Sequence, residues 1–386
     1  MANSDFVIEG KRIKKYLGDG KEIVIPDGIE DVDYFVFDEC KEIIRVSVPE
    51  SLKSIPGDIT TCETLKFNKF DNGLYLGNNE NPYLFLVKPI SKSIASIEIH
   101  KDTKVIDYGA LFGCDKLESL DIPDNIIRIG KNAFNYCSGL KRLTIGRGVR
   151  EIGDSAFEMC RALEEVVYNA VSAEDFVIDA SEDIRGPFSR AGELGKGIRL
   201  IIGKCVQHIP ANFVYGDYGN EQEIKVTSVE FEDGSVCRSI GYSAFRCYSL
   251  ERVSLADSIE VIGKRAFYSC QRLKEINFPK NLKRIEEEAF SSCMVLPVKE
   301  LPEGLEYIGE YAFASCYGIR EITLPTSLNV IDEGAFKYCS FLERVKFLDK
   351  SGWSADGEPI APKNLTVRVA ASLLTDTYNK CRIVKS

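Results

Sequence analysis

The chain has 386 residues, more than one compact core usually serves, so it holds either several domains or one repeating architecture. Its formal net charge of −10 repels nucleic-acid phosphates, and no stretch reaches the roughly 20 apolar residues of a membrane helix. Nucleic acid and membrane insertion are excluded as expectations, and no cofactor or metal is expected, because the 13 cysteines include no C-x-x-C pair and there are only 2 histidines, His100 and His208.

In chain order, residues 6–16 predict a hairpin about Glu9-Gly10, an N-terminal cap within residues 1–20. The segment before it has neither a basic nor an apolar signal region, so nothing there directs secretion. A repeat array follows over residues 21–167. Its first copies are degenerate: "IVIPDGIEDVDYFVFDEC" has Val36 and Phe37 where later copies have Ala-Phe, and "VSVPESLKSIPGDITTC" is one residue short. Near residues 71–90, apolar alternation on both sides of Asn78-Asn79-Glu80-Asn81-Pro82 predicts an inserted hairpin with a polar tip.

The period then becomes regular. Cys114, Cys137 and Cys160 stand 23 residues apart, as do Cys247, Cys270, Cys293, Cys316 and Cys339. A fixed period of about 20–29 residues marks stacked coils. In "DKLESLDIPDNIIRIGKNAFNYC", Leu120 and Ile122 alternate with Ser119 and Asp121 at strand spacing, and Pro123 ends the strand. Ile129, Ala133, Phe134 and Cys137 then fall at the spacing of one face of a short helix. Stacking puts the strands in a parallel sheet, expected to be concave, with helical turns on the convex side and a column of phenylalanines inside. The repeat cysteines point inward with parallel side chains, so disulfides are not implied.

Between the arrays, residues 168–198 predict an acidic insertion with Glu174, Asp175, Asp179, Glu182 and Asp183. The second array runs over residues 199–347. One of its inward strand positions falls on Lys299, which predicts local distortion of that coil. Residues 348–386 break the period, hold Trp353 and suggest a last strand at 365–369, a C-terminal cap.

The pattern L-x-x-L-x-L with I-G-x-x-A-F-x-x-C resembles the BspA-like leucine-rich repeats over nearly the whole chain. The resemblance implies an α/β leucine-rich-repeat solenoid and a bacterial surface or secreted protein that attaches to other proteins. An intracellular scaffold is the alternative, suggested by the absent signal segment and the many thiols. A third reading places an enzyme site in the insertion, although no hydrolase, P-loop or zinc-protease motif occurs.

Binding information belongs on outward strand positions, since a solenoid displays side chains there in rows. The candidates are Glu165, Val167, Arg199, Ile201, Glu230, Arg252 and Glu275, with the insertion as a wall beside them. Val167 and Ile201 are expected as exposed apolar neighbours. Arg252 with Glu275, and Glu321 with Arg344, are expected to pair across strands. The expected partner is a protein, held by a monomer with no catalytic residues.

Overall fold

A regular coil carries two strands rather than one. Ser119–Ile122 pairs in parallel and in register with Arg142–Ile145, and its side chains alternate outward and inward as expected. After the proline corner, a second ladder runs through Val105–Ile106, Arg128–Ile129 and Glu151–Ile152, also parallel. Ile129 is therefore an inward strand residue and not the start of a helix.

The computed structural model describes residues 5–18, 20–177, 186–216 and 224–385. The chain packs as two units, residues 1–160 and 161–386. In the first, the strands Phe6–Glu9 and Arg12–Tyr16 form the expected antiparallel hairpin, and the second of them extends the ladder through Asp31–Val32. Gly73–Leu76 and Phe85–Pro89 form the inserted hairpin, whose outer strand joins Val105–Ile106. In the second, Glu165–Tyr168, Ile198–Ile202, Val226–Phe231, Arg252–Ser254 and Glu275–Ile276 make one parallel run. Its second ladder runs from His208–Ile209 to Val330–Ile331 and is closed by the antiparallel strand Ile383–Lys385.

The A-F-x-x-C segment is a tight turn instead of the expected helical turn, and its hydrogen bonds explain why. The N–H groups of Asn132, Phe134 and Tyr136 donate to Asp154, Ala156 and Glu158 of the next coil at 2.8–3.0 Å. Those of Ala133, Asn135 and Cys137 donate three residues back within their own turn. A helix would keep every such donor inside its own coil. Sharing them costs two left-handed residues per turn, Asn132 at φ 57° and Tyr136 at φ 61°. The glycine of the I-G pair is equally constrained, since a Cβ on Gly130 would meet the Asp107 backbone at 2.7 Å.

The cysteine ladder completes this turn. The Phe134 carbonyl accepts the Cys137 N–H at 3.1 Å and the Cys160 thiol of the next coil at 3.4 Å. Cys293, Cys316 and Cys339 repeat the thiol contact to Phe267, Phe290 and Phe313 at 3.0–3.1 Å. Thus Cys fills space and satisfies a second carbonyl lone pair at once. All thirteen cysteines are free thiols, and burial pushes Cys137 and Cys339 up to about 12, far from reactive thiolate. Beneath them the rings of Phe267, Phe290, Phe313 and Phe336 stack at 5.1–5.4 Å between centroids.

One expectation is corrected here, and a second segment is described in part. Residues 365–369 form no strand: Pro362–Leu365 is a 3₁₀ turn and Val367–Ser372 a helix, while Trp353–Ala355 pairs with Ile383–Lys385. The stretch expected as an acidic lobe is, where described, an enlarged coil. Gln207 N–H donates to Val171, Phe176 N–H donates to Ala211, and the Phe176 and Phe188 rings both lie 6.0 Å from Phe213. Asp179, Glu182 and Asp183 lie outside the described residues.

Two stability predictions follow from this packing. Phe290→Ala opens a cavity between two stacked rings and is expected to cost about 3–5 kcal/mol in urea unfolding, whereas Lys280→Ala on the surface costs far less. Similar midpoints for both variants would contradict the column. Asp107 is 2% exposed, and burial raises its carboxyl to about 6 against the hydrogen bonds it accepts from Ser54 and Ile55. The folded state therefore favours the protonated form, so this group's stabilisation is complete below about pH 4 and is lost as pH rises through about 6. The stability difference between wild type and Asp107→Asn should shift by about 2 kcal/mol between pH 4 and 7.5, and a pH-independent difference would contradict it.

Candidate functional site

The parallel register of the second unit places all seven expected residues on one face. Glu165 and Val167 align with Arg199 and Ile201, Ile201 aligns with Glu230, and Arg252 aligns with Glu275. Arg199 bridges its neighbours, with Nη1 3.2 Å from Glu165 and Nη2 2.7 Å from Glu230. The Arg199 hydrogen bonds hold the Glu230 carboxyl below the usual range, against a smaller opposing effect of burial. Val167 and Ile201 sit side by side as expected but are only partly exposed.

The expected charge pairs do not close. Arg252 and Glu275 are in register, yet the Arg252 guanidinium lies 3.7 Å from Glu251, and Lys274 also holds Glu251 at 2.9 Å. Glu321 and Arg344 are likewise in register with no ion pair between them. Part of the insertion packs on the turn that follows the strand His208–Ile209. Asp175 Oδ1 accepts the Ala211 N–H at 2.7 Å, on the turn side of the coil.

The feature missed in the sequence lies beyond Glu275–Ile276. In regular coils the residue after the leucine donates its N–H to the preceding coil, as Lys141 does to Glu118 and Lys274 to Glu251. In the next coil that position is Pro297, which has no N–H. The coil also shifts by one residue, so that Val298 is buried and Lys299 is exposed, in place of the expected inward Lys299. Among the described residues, no backbone hydrogen bond joins residues 297–301 to Glu275–Ile276. The coil instead holds Thr323 on its other side, through Lys299 and Leu301. The interruption leaves a groove of about 1090 Å³ on the strand face, lined by Glu230, Arg252, Glu275, Phe278, Val298 and Glu300 among others.

The sequence carried the signal, since Pro297 and Lys299 both depart from the repeat. Only the structure showed that the two together interrupt the ladder. Asp175, His208 and Ser239 also fall on successive coils, with His208 Nδ1 2.7 Å from Ser239 Oγ and Nε2 4.0 Å from Asp175. The carboxylate is beyond hydrogen-bond reach and already holds a backbone amide, so the row lacks the oriented base of a catalytic triad. Among the described residues, no group of three or more His, Cys, Asp or Glu could hold a metal ion, and no helix is long and apolar enough to cross a membrane.

The model of the BspA type leucine rich repeat region, in six copies, matches residues 16–79, 90–175 and 223–351. Among solved structures, the chain is similar to a leucine-rich repeat protein from Bacteroides ovatus, with 25% identity over 84% of this chain and 78% of that one and a TM-score of 0.54. It is also similar to a leucine rich cell surface protein from Faecalibacterium prausnitzii, with 19% identity over 91% and 95% of the two chains and a TM-score of 0.31. A comparison with curated protein sequences found no match.

Proposed function

We infer the function from one fact, that the chain belongs to the BspA type leucine-rich repeat family. Its stacked strands display long rows of side chains and suit a large ligand. We read the chain as a non-catalytic protein-binding module that takes its partner on the strand face of the second unit. Glu165, Val167, Arg199, Ile201, Glu230, Arg252 and Glu275 are its candidate contacts. The choice of this face is supported by the groove of about 1090 Å³ adjoining the row, with polar groups around an apolar floor.

Family membership supports a bacterial surface or secreted protein with an adhesin-like role, which we read as a monomer. The intracellular scaffold is kept as a second reading because thirteen free thiols suit a reducing compartment.

Capture by the immobilised full chain, from extracellular-matrix proteins and from cell lysate in parallel, tests the reading and separates the two locations. With the captured partner in hand, Val167→Glu/Ile201→Glu and Arg252→Glu/Glu275→Lys are each expected to raise Kd at least about tenfold, because misplaced charge in an interface is desolvated without a counter-ion. Both variants are expected to keep the wild-type circular dichroism, since the changed side chains point outward from the strands. An unchanged Kd in both would remove the strand face from consideration.

A further inference from the structure

We propose that the groove is a slot for an extended, basic segment of a partner protein, which adds as a strand along the open edge of Glu275–Ile276. The proposal rests on the strand-face reading above and names the form its ligand takes.

The first argument is main-chain chemistry. In a parallel ladder, successive residues direct their N–H and C=O to opposite neighbours. Glu275 N–H is spent on Glu251, so the N–H and C=O of Ile276 face the groove, as does the Lys274 carbonyl. Pro297 and the one-residue shift leave these groups without a backbone partner. A sheet edge of this kind is a template for an incoming strand, and a peptide that adds there gains main-chain bonds while its alternate side chains face the floor.

The floor and the charges select the peptide. Val298 and Leu301 are buried beneath the groove and Phe278 lines it, which suits apolar side chains on one face of the added strand. Among the described residues, Glu275, Glu300 and Glu303 line the groove without an ion pair, against Lys299 as the corresponding free cation. Arg252, Lys274 and Glu230 are already engaged. The unpaired charge is therefore negative, and it complements a strand with basic residues on its outer face.

The test uses the full chain and four synthetic heptapeptides: alternating lysine and valine, alternating glutamate and valine, and the lysine peptide N-methylated at alternate amides in each of the two registers. The protein variant is Pro297→Lys with Lys299→Leu, which restores the residue types of regular coils and leaves net charge unchanged. Wild type should bind the lysine peptide. The repaired variant should lose roughly tenfold in affinity for the lysine peptide, the N-methylated peptide whose methyls face the Ile276 edge should lose as much while the other register keeps its affinity, and the glutamate peptide should bind more weakly still. Equal binding to wild type and repaired variant, indifference to N-methylation, or no binding by wild type would overturn the proposal. A captured protein whose Kd responds to Arg252→Glu/Glu275→Lys but ignores the repair would overturn the slot alone and leave the strand-face reading standing.

Discussion

Main-chain hydrogen bonding between coils is the constraint on which this molecule depends. A 23-residue coil has too little apolar surface to fold alone, and both of its strands find their partners only in the coils before and after it. Even the turn takes part, because half of its N–H groups leave the coil for the next one. The left-handed residues, the I-G glycine, the cysteine thiol and the stacked ring all serve close approach of one backbone to another. Chemistry that looks like a reactive cysteine array is instead a row of buried thiols with raised pKa values that complete carbonyl hydrogen bonds.

Such a stack is sensitive to one kind of change in particular. An outward side chain can vary freely, as the mixture of Glu, Arg, Ser and Val along the strand face demonstrates. A missing backbone donor cannot be compensated locally. Pro297 removes one donor, Lys299 cannot be buried at the position the repeat assigns it, and the strand slides so that Val298 takes the inward place. The result is an opened edge beside a row of polar residues, the kind of irregularity in which a repeating scaffold acquires a specific site.

Much of the fold was legible because burial repeats: the period of 23, the inward leucines, the ring column and both hairpins are all stated by apolar spacing. The second strand was not, because Ile129 has helical spacing from Ala133 and Cys137, and two-residue strands are too short to show alternation. Residues 365–369 were misread because β-branched Thr366, Val367 and Val369 favour strands locally, while packing against the last coil selects a helix. The insertion looked like a loop by its charge, yet Phe176 and Phe188 seat it against Phe213. At the candidate site, the row of seven outward residues followed from strand alternation, whereas the groove did not, since it depends on where backbone donors are missing.

Amide hydrogen exchange resolved by residue tests the central claim most directly. In the free protein, the Ile276 amide should exchange much faster than the amides of Val253 and Leu120, which hold the same ladder position in uninterrupted coils. Protection of Ile276 equal to theirs would mean that the ladder continues across Pro297 and that no edge is open.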